Sequence, residues 1–171
     1  CGNGERVLLL ACRFPDVQFT GLDLTQEGID MAKGIQKLNR LPESIVKYSP
    51  EPLLDLTAHK SAAFICASAK EIPYEENTFE LVYTSLALEQ MEKIREEVFK
   101  EIYRVSSGHA SFYEAFYDFN QGFIQKSYIY CEDYFRGSLS DLKDLGFKKT
   151  YVMENLPQKV NMNAVHVLVE K

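Results

Sequence analysis

The sequence predicts an α/β fold with a parallel sheet at its centre and an antiparallel edge at its C-terminal end. Three observations predict it. Short runs rich in β-branched and aromatic residues alternate with helical segments, a glycine-bearing turn opens the chain, and two strand-like runs follow one another at the end. With 171 residues, 46% of them hydrophobic and 26% charged, the chain is long enough for one domain with a sizeable core.

Taken in order, "ERVLLLACRF" (Glu5 to Phe14) is too densely apolar for a surface strand and follows a glycine turn, so it reads as a mostly buried helix ended by Pro15 and Asp16. "VQFTGLDL" (Val17 to Leu24) is a short buried strand running to Asp23. Thr25 then caps a helix, "TQEGIDMAKGIQKLNR", with Ile29, Ala32, Ile35 (or Gln36) and Leu38 near one face. Residues 41–62 carry three prolines and read as an excursion from the core, an insertion in which only "PLLDLTAHK" forms a short helix. "AAFICASA" (Ala62 to Ala69) and "FELVYTSLA" (from Phe79 to about Thr84) are apolar strands on either side of the polar loop "KEIPYEENT". "EQMEKIREEVFKEIYRV" (Glu89 to Val105) spaces Met91, Ile94, Val98, Ile102 and Val105 by threes and fours, the pattern of an amphipathic helix. "HASFYEAF" is a strand, "SLSDLKDLGFKK" a short helix opened by Ser138 or Ser140 and closed at Gly146, and "TYVMENL" and "AVHVLVEK" are the closing strands.

Composition argues against several classes of partner. A formal net charge of -6 and a pI near 5.2 leave no basic footprint for nucleic acid. Cys1, Cys12, Cys66 and Cys131 are scattered without a C-x-x-C pair or a neighbouring histidine cluster, which argues against both a zinc site and a disulfide framework and favours a reducing, cytoplasmic setting. No apolar run approaches the roughly 18 residues that span a bilayer, and no signal-peptide pattern opens the chain, so a soluble protein without a membrane partner is expected. Nothing in the sequence specifies an oligomeric state.

The opening turn, "CGNGE", carries the chemistry. In a parallel sheet, ligands bind beyond the carboxyl ends of the strands, where a glycine-rich turn lets backbone come close and a helix N-terminus follows. Gly2 and Gly4 stand at such a place, and Asp23 ends the next strand, where a carboxylate accepts from both hydroxyls of a ribose. Alone, each has a plainer reading: an ordinary turn for the glycines, a capping residue for Asp23. A dinucleotide fingerprint needs a third small residue, and that position is Val7, which demotes a nicotinamide cofactor.

Taken together, "CGNGE", "GLDLT", "ASAKEIPYEENTFELVYTSLALEQM" and "EIYRVSSGHASFYEAF" resemble the class I S-adenosylmethionine-dependent methyltransferases, especially the small-molecule group, over nearly the whole chain. The resemblance implies a Rossmann-like three-layer sandwich forming a single domain over 1–171. It also implies that the family's first strand is absent, because "CGNG" matches the end of the motif that follows that strand. By the same resemblance, the backbone of Cys1, Gly2, Asn3 and Gly4 lies against the methionine portion of S-adenosylmethionine, Asp23 holds the ribose and Leu24 flanks the adenine. Ser68 and Ala69 stand where the family has Asp-Ala beside the adenine amino group, and Thr84 and Ser85 line the methionine and sulfonium end. The family often places a histidine soon afterwards; this chain has Gln90, which carries no general-base role.

The implied activity is methyl transfer to a small-molecule acceptor by in-line displacement; the alternative is a binding or scaffolding protein that keeps the fold without turnover. The catalytic residue is left open, with Glu114, Tyr83 and Glu89 as candidate bases. His59, His109 and His166 lie apart in the sequence and read as structural or exposed rather than as a triad or metal set. Phe112 to Phe135 carries ten Phe or Tyr residues and is either core or part of an acceptor pocket.

Overall fold

The computed structural model describes residues 1–49, 51–157 and 162–171. Its elements, in order, are α1 (Glu5–Arg13), β1 (Thr20–Asp23), α2 (Gln26–Gln36), α3 (Glu43–Val46), β2 (Ala63–Cys66), β3 (Phe79–Ser85), α4 (Arg95–Val105), β4 (Ser106–Glu114), α5 (Phe123–Cys131), α6 (Leu139–Asp144), β5 (Lys149–Met153) and β6 (Val165–Glu170). They fall into two compact units, Cys1–Ala69 and Lys70–Lys171.

In the first unit, β1 and β2 pair in parallel, from Thr20 opposite Ala63 to Asp23 opposite Cys66. The crossover between them is α2, which opens where the Thr25 hydroxyl accepts from the Gly28 N–H at 3.2 Å, as the sequence predicts. Val7, Leu8, Ala11 and Cys12 of α1 pack with Ile29 and Ala32 of α2 and Phe64 of β2. Leu41 and Ile45, within the stretch expected to be an insertion, pack into the same core. The apolar spacing there is too short for a sequence pattern, and the tie is made by backbone: the Leu54 and Asp55 N–H groups both donate to the Cys12 carbonyl at 3.0 and 3.1 Å. His59 is fully buried, its two ring nitrogens each 3.1 Å from a carbonyl oxygen, those of Leu56 and Leu38, which makes it a structural histidine.

In the second unit, the strand order is β3-β4-β6-β5, with β3 parallel to β4 and both β4–β6 and β6–β5 antiparallel. The expected antiparallel edge is therefore present. One face of this sheet is strictly alternating: Ala110, Phe112 and Glu114 of β4 stand opposite Val169, Val167 and Val165 of β6, and all six are buried. Phe99 of α4 meets Phe112 and Phe135 edge-on at 5.8 and 5.9 Å, and Phe116 meets Phe112 and Phe135 at 5.9 and 5.6 Å. These four rings are core, which assigns Phe112, Phe116 and Phe135 of the aromatic segment to packing. Outside it, Phe123, Ile124 and Tyr130 of α5 are exposed. The helix predicted from Glu89 begins only at Arg95; two short 3-10 turns, Leu88–Gln90 and Glu92–Ile94, come first. Ser138 rather than Ser140 caps α6, accepting from the Asp141 N–H at 3.2 Å while the Asp141 carboxylate accepts from the Ser138 N–H at 2.9 Å.

Candidate functional site

Asp23 organises the first unit's candidate site. It ends β1, and its side chain is 19% exposed. Its Oδ1 accepts from the Thr25 N–H at 2.9 Å and the Thr25 hydroxyl at 2.7 Å; its Oδ2 accepts from the Gly2 N–H at 2.6 Å and the Cys1 nitrogen at 3.1 Å. Partial burial raises the carboxyl's proton affinity, but the donors from Thr25 and Gly2 outweigh it and hold Asp23 well below the usual carboxylate range. The residue is an anion at neutral pH.

The glycines make this approach possible. Gly2 and Gly4 both have left-handed backbone, φ +54° and +73°. A Cβ on Gly2 meets nothing within 4 Å, so the turn is open on that side. A Cβ on Gly4 would lie 2.6 Å from the Ala32 Cβ and 2.8 Å from the Phe64 ring, so Gly4 is where the turn seats on α2 and β2. Gly28, in the first turn of α2, does the same from the other side: its Cβ would lie 3.1 Å from both the Asp23 Oδ1 and the Gly2 carbonyl oxygen. Sequence reading missed Gly28 and the bond from Thr25 to Asp23. A glycine in the first turn of a helix, where propensity disfavours it, was the available signal.

The structure thus brings Cys1 and Gly2 together with Asp23, while Gly4 closes the turn by donating to the Cys1 carbonyl at 3.1 Å. Asn3 turns away to its own helix, donating from Nδ2 to the Glu5 carboxylate at 2.8 Å. Leu24, the residue after Asp23, is 72% exposed, an apolar side chain in the open next to an anion. Ser68 and Ala69 follow β2 and are half-buried; the strand backbone reaches that loop through the Ala67 N–H, which donates to the Asp23 carbonyl at 2.9 Å.

In the second unit, Thr84 and Ser85 close β3, beside Phe112 and Tyr113 of β4. Glu114, the last residue of β4, is fully buried and accepts from the Ala87 N–H at 3.0 Å and the Leu88 N–H at 3.3 Å. The Thr84 hydroxyl faces the same carboxyl, but its oxygen is buried without a well-formed hydrogen bond. Burial pushes Glu114 up to about 7, the Ala87 and Leu88 amides and Thr84 pull against it, and the nearby Glu89 carboxylate adds to the rise. Glu89 is itself held by the Tyr134 hydroxyl, whose proton is retained more tightly than usual through burial and that contact. Of the three candidate bases, Glu114 is committed to backbone and Glu89 to Tyr134, while Tyr83 is half-buried in β3.

These features can be set beside known proteins. A family model described as "Methyltransferase domain" matches residues 1–113. A SAM-dependent methyltransferase from Methanosarcina mazei is 18% identical, with a TM-score of 0.68, over 100% of this chain and 89% of that one. The magnesium protoporphyrin IX methyltransferase of Synechocystis PCC 6803, solved with bound SAH, is 11% identical with a TM-score of 0.63, over 100% of this chain and 71% of that one. The [4+2]-cyclase SpnF is 16% identical with a TM-score of 0.68, over 100% of this chain and 72% of that one. At such identities the likeness is one of fold, and the fold is the Rossmann-like α/β arrangement. With the family model covering about two thirds of the chain, and with a glycine turn docked on a strand-end aspartate, the chain belongs to the class I S-adenosylmethionine-dependent methyltransferases.

Proposed function

We propose that the chain binds S-adenosylmethionine through Asp23 and transfers its methyl group to a small-molecule acceptor. The observation that carries this reading is the Asp23 carboxylate, ionised, at the end of β1 and hydrogen-bonded to the Gly2 N–H of a left-handed glycine turn. The residues fit the cofactor's chemistry. Asp23 offers the two oxygens a ribose diol needs, with the rotatable Thr25 hydroxyl as the donor that yields to it. Exposed Leu24 is the apolar surface an adenine ring covers. The open side of Gly2, with the backbone of Cys1, Asn3 and Gly4, suits the methionine portion. On their place in the family's motifs, Ser68 and Ala69 are assigned to the adenine, Ser68 by its hydroxyl and Ala69 by its N–H. Thr84 and Ser85 are assigned to the methionine end on the same ground.

The cofactor supplies a methyl group on a cationic sulfur, already a strong electrophile. The protein's task is then to hold an acceptor in line with that methyl and to exclude water. A base is needed only where the acceptor must lose a proton.

The test is formation of S-adenosylhomocysteine when the protein is mixed with S-adenosylmethionine and a panel of phenol, amine, thiol and carbon-acid acceptors. Turnover with one class, lost in Asp23→Ala, supports methyl transfer. Saturable binding with no turnover across the panel favours the second reading, a protein that keeps the fold without transferring methyl. That reading, a binding or scaffolding protein, has its own support in Ser68 and Gln90, which stand where the family has an aspartate and often a histidine.

A further inference from the structure

The alternation along β4 reserves one face for apolar residues, yet Glu114 stands on that face, opposite Val165 and without exposure to solvent. A carboxyl is costly in such a position unless something specific holds it. What holds it is the turn that leaves β3. Leu86 has left-handed backbone, φ +49°, an uncommon state for a leucine, and Ala87 follows with right-handed backbone, φ -107° and ψ -36°. Successive residues of opposite hand turn their N–H groups to one side, which makes a concave anion cradle. Here three consecutive amides are directed at the end of β4: Leu86 donates to the Tyr113 carbonyl at 2.9 Å, and Ala87 and Leu88 donate to the two oxygens of Glu114 at 3.0 and 3.3 Å. The carboxylate therefore occupies an internal anion site built by the turn.

We propose that Glu114 is the positioning residue of the turn after Thr84 and Ser85: its ionised carboxylate holds Leu86 to Leu88 in the conformation competent for cofactor binding, and its protonation releases them. The cofactor part of this rests on the methyltransferase reading. The neutral carboxyl is a weaker acceptor for two N–H groups, so the left-handed Leu86 loses the contacts that offset its strain. Burial places this change near neutrality, with Glu114 pushed up to about 7. The titratable groups that face it are Glu89, from the 3-10 turn that follows, and Tyr134, from the segment after α5, whose hydroxyl donates to Glu89.

Two measurements on the whole chain decide the matter. In the ligand-free protein, the amide resonances of Ala87 and Leu88 and the Glu114 carboxyl carbon are followed from about pH 5.5 to about pH 8.5. The proposal expects all three to titrate together with one midpoint near 7, and expects Glu89→Gln to lower that midpoint without abolishing it. Amides that stay still while Glu114 titrates, or a Glu114 midpoint below about pH 5.5, overturn it. This arm uses the wild-type chain and does not depend on any variant folding.

The second measurement is calorimetric binding of S-adenosylhomocysteine at about pH 6 and about pH 8. The ionised fraction falls from about ten in eleven to about one in eleven, so the wild type weakens about tenfold at the lower pH. Glu114→Gln, checked for native circular dichroism, is expected to bind with the same reduced affinity at both. Wild-type affinity that is unchanged between the two pH values contradicts the proposal while leaving the methyltransferase reading intact. Absence of binding at either pH defeats the methyltransferase reading, and the amide titration still decides the role of Glu114.

Discussion

Replacing Gly4 with alanine probes how the opening turn is seated, and the structure allows the cost to be worked out. Two terms add. An L-residue in the left-handed region costs roughly 1–2 kcal/mol. A new methyl group 2.6 Å from the Ala32 Cβ and 2.8 Å from the Phe64 ring forces α2 and β2 apart, an overpacking cost of roughly 1–3 kcal/mol. The total is about 2–5 kcal/mol, or roughly 2–4 °C of midpoint for each kcal/mol in a chain of this size. Gly2→Ala carries the first term alone, since its Cβ meets nothing within 4 Å. Gly34→Ala carries neither: it lies inside α2 with open space around it, and the change should stabilise by about 0.5–1 kcal/mol. Urea unfolding followed by far-UV circular dichroism is the assay, because the chain has no tryptophan. The expected order is Gly34→Ala above wild type, then Gly2→Ala, then Gly4→Ala. Equal losses at Gly2 and Gly4 would refute the claim that the turn is wedged against Ala32 and Phe64.

Two further outcomes follow from the second unit. The Lys171 ammonium donates to the Tyr103 and Ser106 carbonyls at 2.8 and 2.9 Å and to the Asn77 side chain at 2.8 Å, satisfying the C-terminal end of α4. Lys171→Met keeps the stem and removes the donors, so thermal unfolding should show a loss of about 1–2 kcal/mol; an unchanged midpoint would mean the cage contributes nothing. Glu114 adds a pH-dependent term of known sign. Its native value lies above its ordinary 4.5, so the folded state keeps the proton longer than the unfolded state does. The stability this provides is complete below pH 4.5 and is lost as pH rises to about 7, a total of about 3 kcal/mol from one proton. Subtracting the Glu114→Gln profile from the wild-type profile isolates it, and a difference that grows as pH rises would have the wrong sign.

Much of the fold was legible because the pattern and the packing agree. Ile29 and Ala32 fall on one face of α2 and are buried there, Thr25 caps that helix, and the parity of β6 puts Val165, Val167 and Val169 in the core. The parts that were not legible depend on contacts distant in sequence. The helix predicted from Glu89 is preceded by two 3-10 turns, the first of which is anchored by the Ala87 and Leu88 amides on Glu114, and a hydrophobic period does not register a carboxylate 26 residues away. Leu41 and Ile45 reach the core through a segment too short for periodicity to emerge. α5, Phe123–Cys131, was hidden by its own composition, since its apolar residues fall at exposed positions (Phe123, Ile124 and Tyr130) as well as at the buried Ile129 and leave no single apolar stripe. At the site, Asp23 and the glycines were visible as motif residues. Their mutual geometry was not, because it depends on Gly28 letting the turn and the carboxylate share the same end of α2.

The most direct test of the central claim is calorimetric titration of S-adenosylmethionine and S-adenosylhomocysteine into the protein, with Asp23→Ala alongside. Loss of a charge-assisted pair of ribose hydrogen bonds should weaken binding by about 2–4 kcal/mol, or roughly thirtyfold to a thousandfold, while the variant keeps its circular dichroism. Saturable binding that falls in this way is the predicted result. Binding of equal strength to both proteins would contradict the assignment of Asp23, and a folded wild-type protein that takes up neither ligand would contradict the cofactor site as a whole.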